Sequence, residues 1–238
     1  MKKITDLKVK IFADGADRAG MLEMHARPYI KGFTTNPTLM RKAGISDYRA
    51  FAKDILEVIR DRPISFEVFS DDFEEMERQA LQIAGWGANV YVKIPVTNTL
   101  ARPATSLIRN LARKGVRVNA TALMTLAQVR EVSEAIGASA PACISVFAGR
   151  VADTGRDPLP LMAAAVEALR RFPNQELIWA SPRELLNIFQ ADEVGCQIIT
   201  ATNDILRKLD GVGRDLDGFS LETVKMFRDD ALAAGYSI

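Results

Sequence analysis

The 238 residues are about what one large α/β barrel or two small domains require, and 48% hydrophobic with 26% charged residues is the balance of a soluble globular protein with a sizeable core. A formal net charge of +1 offers no field for nucleic acid or an anionic membrane surface, and no apolar run approaches the ~20 residues of a membrane span. The amino-terminal "MKKITDLKVKIFAD" has lysines but neither the apolar segment nor the cleavage site of a secretory signal.

In chain order, short β-branched runs alternate with longer amphipathic ones. The strand candidates are "KVKIFAD", "IKGFTTN", "PISFEVF", "NVYVKIP", "VRVNATA", "ACISVFA", "ELIWAS" and "GCQIITA". Between them, "SDYRAFAKDILEVIRD", "DDFEEMERQALQIAG", "PATSLIRNLARKG", "TLAQVREVSEAIG" and "LPLMAAAVEALRRF" repeat apolar residues every three or four positions, as helices packed on a sheet require. Ser46 and Asp71 are predicted N-caps, and Gly85, Gly115 and Gly137 predicted helix stops. Eight such units without a linker predict a (β/α)8 barrel over 1–238, with a doubly wound open sheet as the alternative. Residues 219–234 form one further amphipathic helix outside the barrel. Its apolar face, with Leu221, Val224, Phe227 and Leu232, is suited to cover the barrel or a neighbouring subunit.

Several chemistries lack their residues. There is one histidine, His25, on a helix surface, so neither a Ser-His-Asp triad nor a zinc site is expected. Cys143 and Cys196 sit in apolar runs, as buried reduced thiols of a cytoplasmic protein do. "GVGRDLDG" (211–218) faintly resembles a dinucleotide fingerprint or a calcium loop. With no third glycine, no helix expected to open there and the wrong acidic spacing, it reads as a surface turn. No metal or cofactor is expected.

Strand alternation sorts the remaining polar residues. With Val9, Ile11 and Ala13 facing the helices, Asp14 takes the other face, and Phe33 outward leaves Thr34 and Asn36 opposite. Ile64, Phe66 and Val68 outward place Glu67 inward, and Val90, Val92, Ile94 and Val96 outward place Lys93 inward. Asn119 and Thr121 oppose Val118 and Ala120, and Ser145 and Phe147 oppose Ile144 and Val146. On the seventh strand Ile178 and Ala180 are assigned outward and Ser181 opposite. Seven strands thus offer a polar residue at one end, where barrel enzymes build their sites. A serine or threonine there is more often a turn former. A buried lysine with acids is rarer and needs either a structural ion pair or a chemical use. Burial disfavours the charged form of an amine, and a neutral amine attacks a carbonyl to form a Schiff base, whose iminium is an electron sink. Asp14 and Glu67 are then the available proton carriers, and the set reads as a class I aldolase-type site.

"GFTTNPT", "VYVKIPVT", "ISVFAGRVAD" and "WASPRE" resemble the transaldolase family in its short form, close to the fructose-6-phosphate aldolases. The resemblance covers nearly the whole chain in order. It implies a barrel with the Schiff-base lysine on the fourth strand, at Lys93, and Asp14 as the acid–base for the C4 hydroxyl. Glu67 and Thr121 would hold a proton-shuttling water, and Thr34, Asn36, Asn119 and Ser145 would bind the triose hydroxyls. Arg150, Ser181 and Arg183 would bind phosphate, whose oxygens guanidinium forks match. Otherwise Arg150 and Arg183 are rim residues paired with Asp153 or Glu184. An acid at Glu67 and phenylalanine at Phe147 resemble the transaldolase branch, the aldolase branch having an amide and a tyrosine there.

Two stretches depart from the family's pattern: Pro182, where phenylalanine is usual, and "TNTLARPATS", with Arg102 and Pro103, which differs from the pentose-phosphate enzymes. The expectation is a cofactor-free homo-oligomer acting on sugar phosphates. It would transfer dihydroxyacetone between them, with two alternatives. One is an aldolase releasing free dihydroxyacetone, the other a phosphosugar binder without catalysis.

Overall fold

Each predicted strand run carries a strand, and each is followed by helix. The structure, a computed structural model, describes residues 2–238. After a 3-10 turn at Ile4–Asp6 come β1 (Lys10–Asp14), α1 (Arg18–His25), β2 (Ile30–Thr34), α2 (Pro37–Lys42), α3 (Tyr48–Val58), β3 (Ile64–Glu67) and α4 (Phe73–Ala84). β4 (Val90–Pro95), α5 (Thr105–Arg113), β5 (Val118–Leu123), α6 (Leu126–Ile136), β6 (Ala142–Val146), α7 (Ala148–Ala152), α8 (Leu159–Leu169) and β7 (Gln175–Trp179) follow. The chain ends with α9 (Leu186–Glu193), β8 (Ile198–Thr202), α10 (Asn203–Arg207), a 3-10 turn at Lys208–Gly211 and α11 (Leu216–Ala233). The eight strands are all parallel and β1 pairs with β8, so the sheet closes into a (β/α)8 barrel and the open-sheet alternative falls away.

The covering helices dictate the outer face. Val92, Ile94, Ile64, Phe66, Val118 and Ile144 are fully buried in the layer between strands and helices. Each large side chain withdrawn from water there contributes about 1.5–3 kcal/mol. Inside the barrel, Phe12, Cys143, Ile178, Ala180 and Ile198 form a smaller apolar cluster. The seventh strand's parity is therefore corrected: Ile178 and Ala180 point into the barrel, and Leu177 and Trp179 face the helices. Apolar residues occupy both faces of β7, so hydrophobicity alone does not separate them.

Two N-caps are also corrected by one position. Asp47, not Ser46, accepts the Ala50 N–H at 2.9 Å, and Asp72, not Asp71, accepts that of Glu75 at 2.9 Å. Asp71 is drawn away by Thr99, whose N–H and hydroxyl both donate to its carboxylate at 2.7 Å. Gly85, Gly115 and Gly137 stand at helix ends as expected. The segment 211–218 does open a helix, since Asp215 caps α11 by accepting the Gly218 N–H. No residue of α11 is buried.

Candidate active site

Strand register brings the polar residues together at the C-terminal ends. Asp14 stands beside Thr34 on one side and Thr202 on the other, while Lys93 stands between Glu67 and Asn119. A cavity of about 290 Å3 opens at this end. It is lined from the predicted set by Asp14, Thr34, Asn36, Lys93, Thr121, Ser145, Phe147, Arg150, Ser181 and Arg183. Glu67 and Asn119 do not line it; they contact two residues that do, Glu67 pairing with Lys93 and Asn119 accepting from Ser145.

Lys93 forms the floor and is only 5% exposed. Its ammonium lies 3.1 Å from Glu67 Oε2 and donates to the Thr35 carbonyl at 2.9 Å. Asp14 is half-buried, and its Oδ1 accepts the Thr34 hydroxyl at 2.7 Å. Burial pushes the Asp14 carboxyl up, a shift that the Lys93 charge and the Thr34 hydrogen bond partly oppose and the Glu67 charge slightly reinforces. Thr34 also shares a 2.6 Å hydrogen bond with Thr200. Asn119 is fully buried, donating to Ser65 Oγ at 3.0 Å and accepting from Ser145 Oγ at 2.7 Å. Thr121 Oγ1, by contrast, is a buried hydroxyl without a hydrogen-bond partner among the described residues. It is free to serve a water or a substrate oxygen.

At the other end of the cavity, α7 brings in Arg150 and the loop after β7 brings in Ser181 and Arg183. β7 stops at Trp179, and Ser181 adopts φ +58°, the left-handed turn that swings its side chain to the cavity against strand parity. Gly149 makes this possible, because a Cβ there would lie 1.5 Å from the Ser181 carbonyl oxygen. The Arg150 guanidinium packs over the Phe147 ring, 5.6 Å from its centroid. Arg183 is paired with Asp153, the partner foreseen for a rim arginine, while also lining the cavity. Both members of that pair are half exposed, so exchanging it for a ligand anion costs little. Pro182 lines the cavity and Arg102 does not.

The alternation argument assigns no site residue to the eighth strand, yet Thr200 and Thr202 of β8 and Asp204 of α10 also line the site. The alternation of Thr200 and Thr202 against Ile199 and Ala201 carried that signal. His25 ends α1 with its Nε2 2.9 Å from Asp61 Oδ1, away from the cavity. Both cysteines are buried and free. Among the described residues no three His, Cys, Asp or Glu side chains gather as a metal site would require, and no helix is long and apolar enough to cross a membrane.

A parallel eight-stranded barrel with an ion-paired lysine under its C-terminal mouth is the frame of a barrel enzyme. The family described as Transaldolase/Fructose-6-phosphate aldolase matches residues 11–235. The "Probable transaldolase" of Dehalococcoides mccartyi is 33% identical over 203 residues, covering 84% of this chain and 90% of that protein. The "Probable transaldolase" of a Thermoanaerobacter species is 32% identical over 231 residues, covering 97% of this chain and all of that protein. Among solved structures, 3-hexulose-6-phosphate synthase from Salmonella typhimurium superimposes with a TM-score of 0.58 at 16% identity, covering 84% of this chain and 91% of that one, a likeness of fold alone. The chain belongs to the transaldolase/fructose-6-phosphate aldolase family.

Proposed function

We propose that this chain is a transaldolase that carries a dihydroxyacetone unit from a ketose phosphate to an aldose phosphate on Lys93. The observation that carries the reading is Lys93 itself. An amine 5% exposed, ion-paired to Glu67 and lining a cavity together with Asp14, Arg150 and Arg183 supports a chemical use over a purely structural ion pair.

In this mechanism the amine gives up a proton, for which Glu67 is a base within 3.1 Å. Lys93 Nζ attacks the ketose C2 carbonyl, and the carbinolamine loses water to leave an iminium. Thr121 and Glu67 hold the water that exchanges protons in this step. Asp14 takes the proton of the C4 hydroxyl, the C3–C4 bond breaks, and its electron pair enters the iminium to give an enamine. The aldose leaves as the aldehyde. The enamine carbon then attacks the acceptor's carbonyl carbon, Asp14 returns the proton to the new oxyanion, and water releases the product from Lys93. Arg150, Ser181 and Arg183 bind the phosphate and set the distance from it to the reacting carbons.

Phe147 favours transfer over release of free dihydroxyacetone. Its ring, packed under Arg150, presents no hydroxyl that would bring water to the enamine. The exposed face of α11 supports a homo-oligomer. The test is an intact mass after borohydride reduction with fructose 6-phosphate present, followed by peptide mapping. A reduced adduct on Lys93 is expected. Its absence from folded protein, with dihydroxyacetone also tried, would overturn the Schiff-base reading in favour of a binder. Turnover that requires an acceptor aldehyde separates transferase from aldolase.

A further inference from the structure

β2 ends one residue too early to complete the ladder beside the reactive lysine. Its pairing with β3 sets Phe33 against Ile64 and Thr34 against Ser65, and the Thr35 N–H donates to the Ser65 carbonyl at 3.1 Å. One more step in this parallel register would place the Glu67 N–H on the Thr35 carbonyl and the Glu67 carbonyl on the N–H of residue 37. Residue 37 is proline, which has no N–H, and it begins α2. Buried backbone groups must nonetheless find partners.

The missing strand is replaced by one side chain. Tyr48, the first residue of α3, accepts the Glu67 N–H on its hydroxyl oxygen at 2.8 Å and donates its own proton to the Glu67 carbonyl at 2.9 Å. The Thr35 carbonyl, released from the ladder, receives the Lys93 ammonium instead. The ring that delivers the hydroxyl is fixed by aromatic contacts. It lies edge-on to Phe66 and Phe69, with centroids 6.2 and 5.6 Å away, and tilted against Trp86 at 5.8 Å. Burial pushes the phenol well above its ordinary value, so it stays a donor through the working range.

We propose that Tyr48 is a positioning residue for imine formation. By clamping both backbone groups of Glu67 it holds that carboxylate on Lys93 and frees the Thr35 carbonyl for the same ammonium. The proposal rests on the Lys93 imine reading above and assigns the geometry of that step to a residue outside the cavity. Tyr48 touches no substrate, and its effect runs through Glu67 and Lys93.

The experiment measures the single-turnover rate of the borohydride-trapped Lys93 adduct with fructose 6-phosphate, alongside kcat, KM and melting temperature. Tyr48→Phe keeps the ring and its packing and removes only the clamp. Trp86→Phe takes volume from the same aromatic cluster and leaves the hydroxyl. Tyr48→Phe is expected to slow adduct formation and kcat about 10- to 100-fold, the scale of a small misplacement of reacting groups, with KM nearly unchanged. Trp86→Phe is expected to melt lower and trap at the wild-type rate. Wild-type trapping on Lys93 with an equal rate in Tyr48→Phe overturns the clamp and leaves the imine reading intact. So does a loss of rate that follows melting temperature equally in both variants. A wild-type protein that traps nowhere overturns the imine reading and the clamp's role in it together.

Discussion

The Thr34 hydroxyl donates to Asp14 Oδ1 at 2.7 Å, and this bond, with the Lys93 charge, works against the burial that pushes the Asp14 carboxyl up. In the proposed mechanism Asp14 must be ionised to take the C4 hydroxyl proton. The acid limb of kcat is therefore expected at a higher pH than an ordinary carboxylate, with its value of 3.8, would give. Asp14→Asn is expected to cost about 10²–10⁴ in kcat. Its effect on stability has the opposite sign. A raised carboxyl holds its proton more tightly folded than unfolded, so ionisation weakens the fold as pH rises through the folded value. At neutral pH the asparagine variant should melt no lower than wild type. A clear drop in melting temperature would mean that Asp14 is a structural ion-pair partner instead.

Phe147 and Arg150 make the second relationship with consequences. The guanidinium covers one face of the ring, so tyrosine at 147 can keep the same placement and add a hydroxyl at the cavity edge. Phe147→Tyr is expected to raise the release of free dihydroxyacetone relative to transfer. The check is the ratio of the two rates with and without acceptor aldehyde. If the ratio is the same in both proteins, dryness of the site does not control the partition.

Arg183 should act on phosphate and not on chemistry. Its partner Asp153 is half exposed and readily exchanged, whereas a phosphate oxygen would gain a charge-assisted bond. Arg183→Gln is expected to raise KM for a phosphorylated donor by about 10–100-fold, the scale of one hydrogen bond to a charged group. Turnover of unphosphorylated dihydroxyacetone with an aldehyde should change little. Equal losses on both donors would place Arg183 in folding of the loop after β7.

The eight strands were legible because helices on a barrel demand an apolar outer face, and Val92, Ile94, Ile64 and Phe66 advertise one. The same rule located Lys93, Glu67 and Asp14. It failed on β7, where the interior at that depth is apolar as well, so Ile178 and Ala180 resemble outward residues. Ser181 reaches the cavity only through a left-handed turn that depends on the close approach of Gly149, thirty-two positions earlier in the chain. Neighbouring capping residues such as Asp71 and Asp72 differ only in what else they meet, and the Asp71–Thr99 contact is tertiary. Tyr48 gave no signal either. Its hydroxyl matters because a strand ends early elsewhere, although Pro37 marks that ending in the sequence.

Asp192 ties the amino-terminal segment to the barrel. Its Oδ1 accepts the Lys8 and Val9 N–H groups at 2.5 and 2.9 Å, and Oδ2 meets the Lys2 ammonium. Burial alone would raise this carboxyl, but the bonds from Lys2, Val9 and Lys8 outweigh it and hold it below its ordinary value. Such a group contributes stability above the unfolded value of 3.8, and the contribution is lost as pH falls through the lower folded value. Asp192→Ala is expected to cost about 1–3 kcal/mol at neutral pH, the cost of leaving buried donors unpaired. Urea unfolding at pH 7 and near pH 3 should show the gap from wild type narrowing in acid. A constant gap would assign the loss to packing.

The apolar face of α11 points to how the barrel is used in solution. Leu221, Val224, Phe227 and Leu232 recur at helical spacing and are 55–64% exposed, so the face left open to cover the barrel or a neighbour does not cover its own barrel. In the proposed homo-oligomer this exposed face is the surface that a second copy would cover. We expect size-exclusion chromatography with light scattering at micromolar concentration to give a multiple of 26.2 kDa. Leu221→Glu combined with Phe227→Glu should lower that mass while circular dichroism and the Lys93 adduct persist, since neither residue lines the cavity. A monomeric wild-type protein would remove α11 as an interface between copies. An unchanged oligomer in the double variant would move the interface to another face of the barrel.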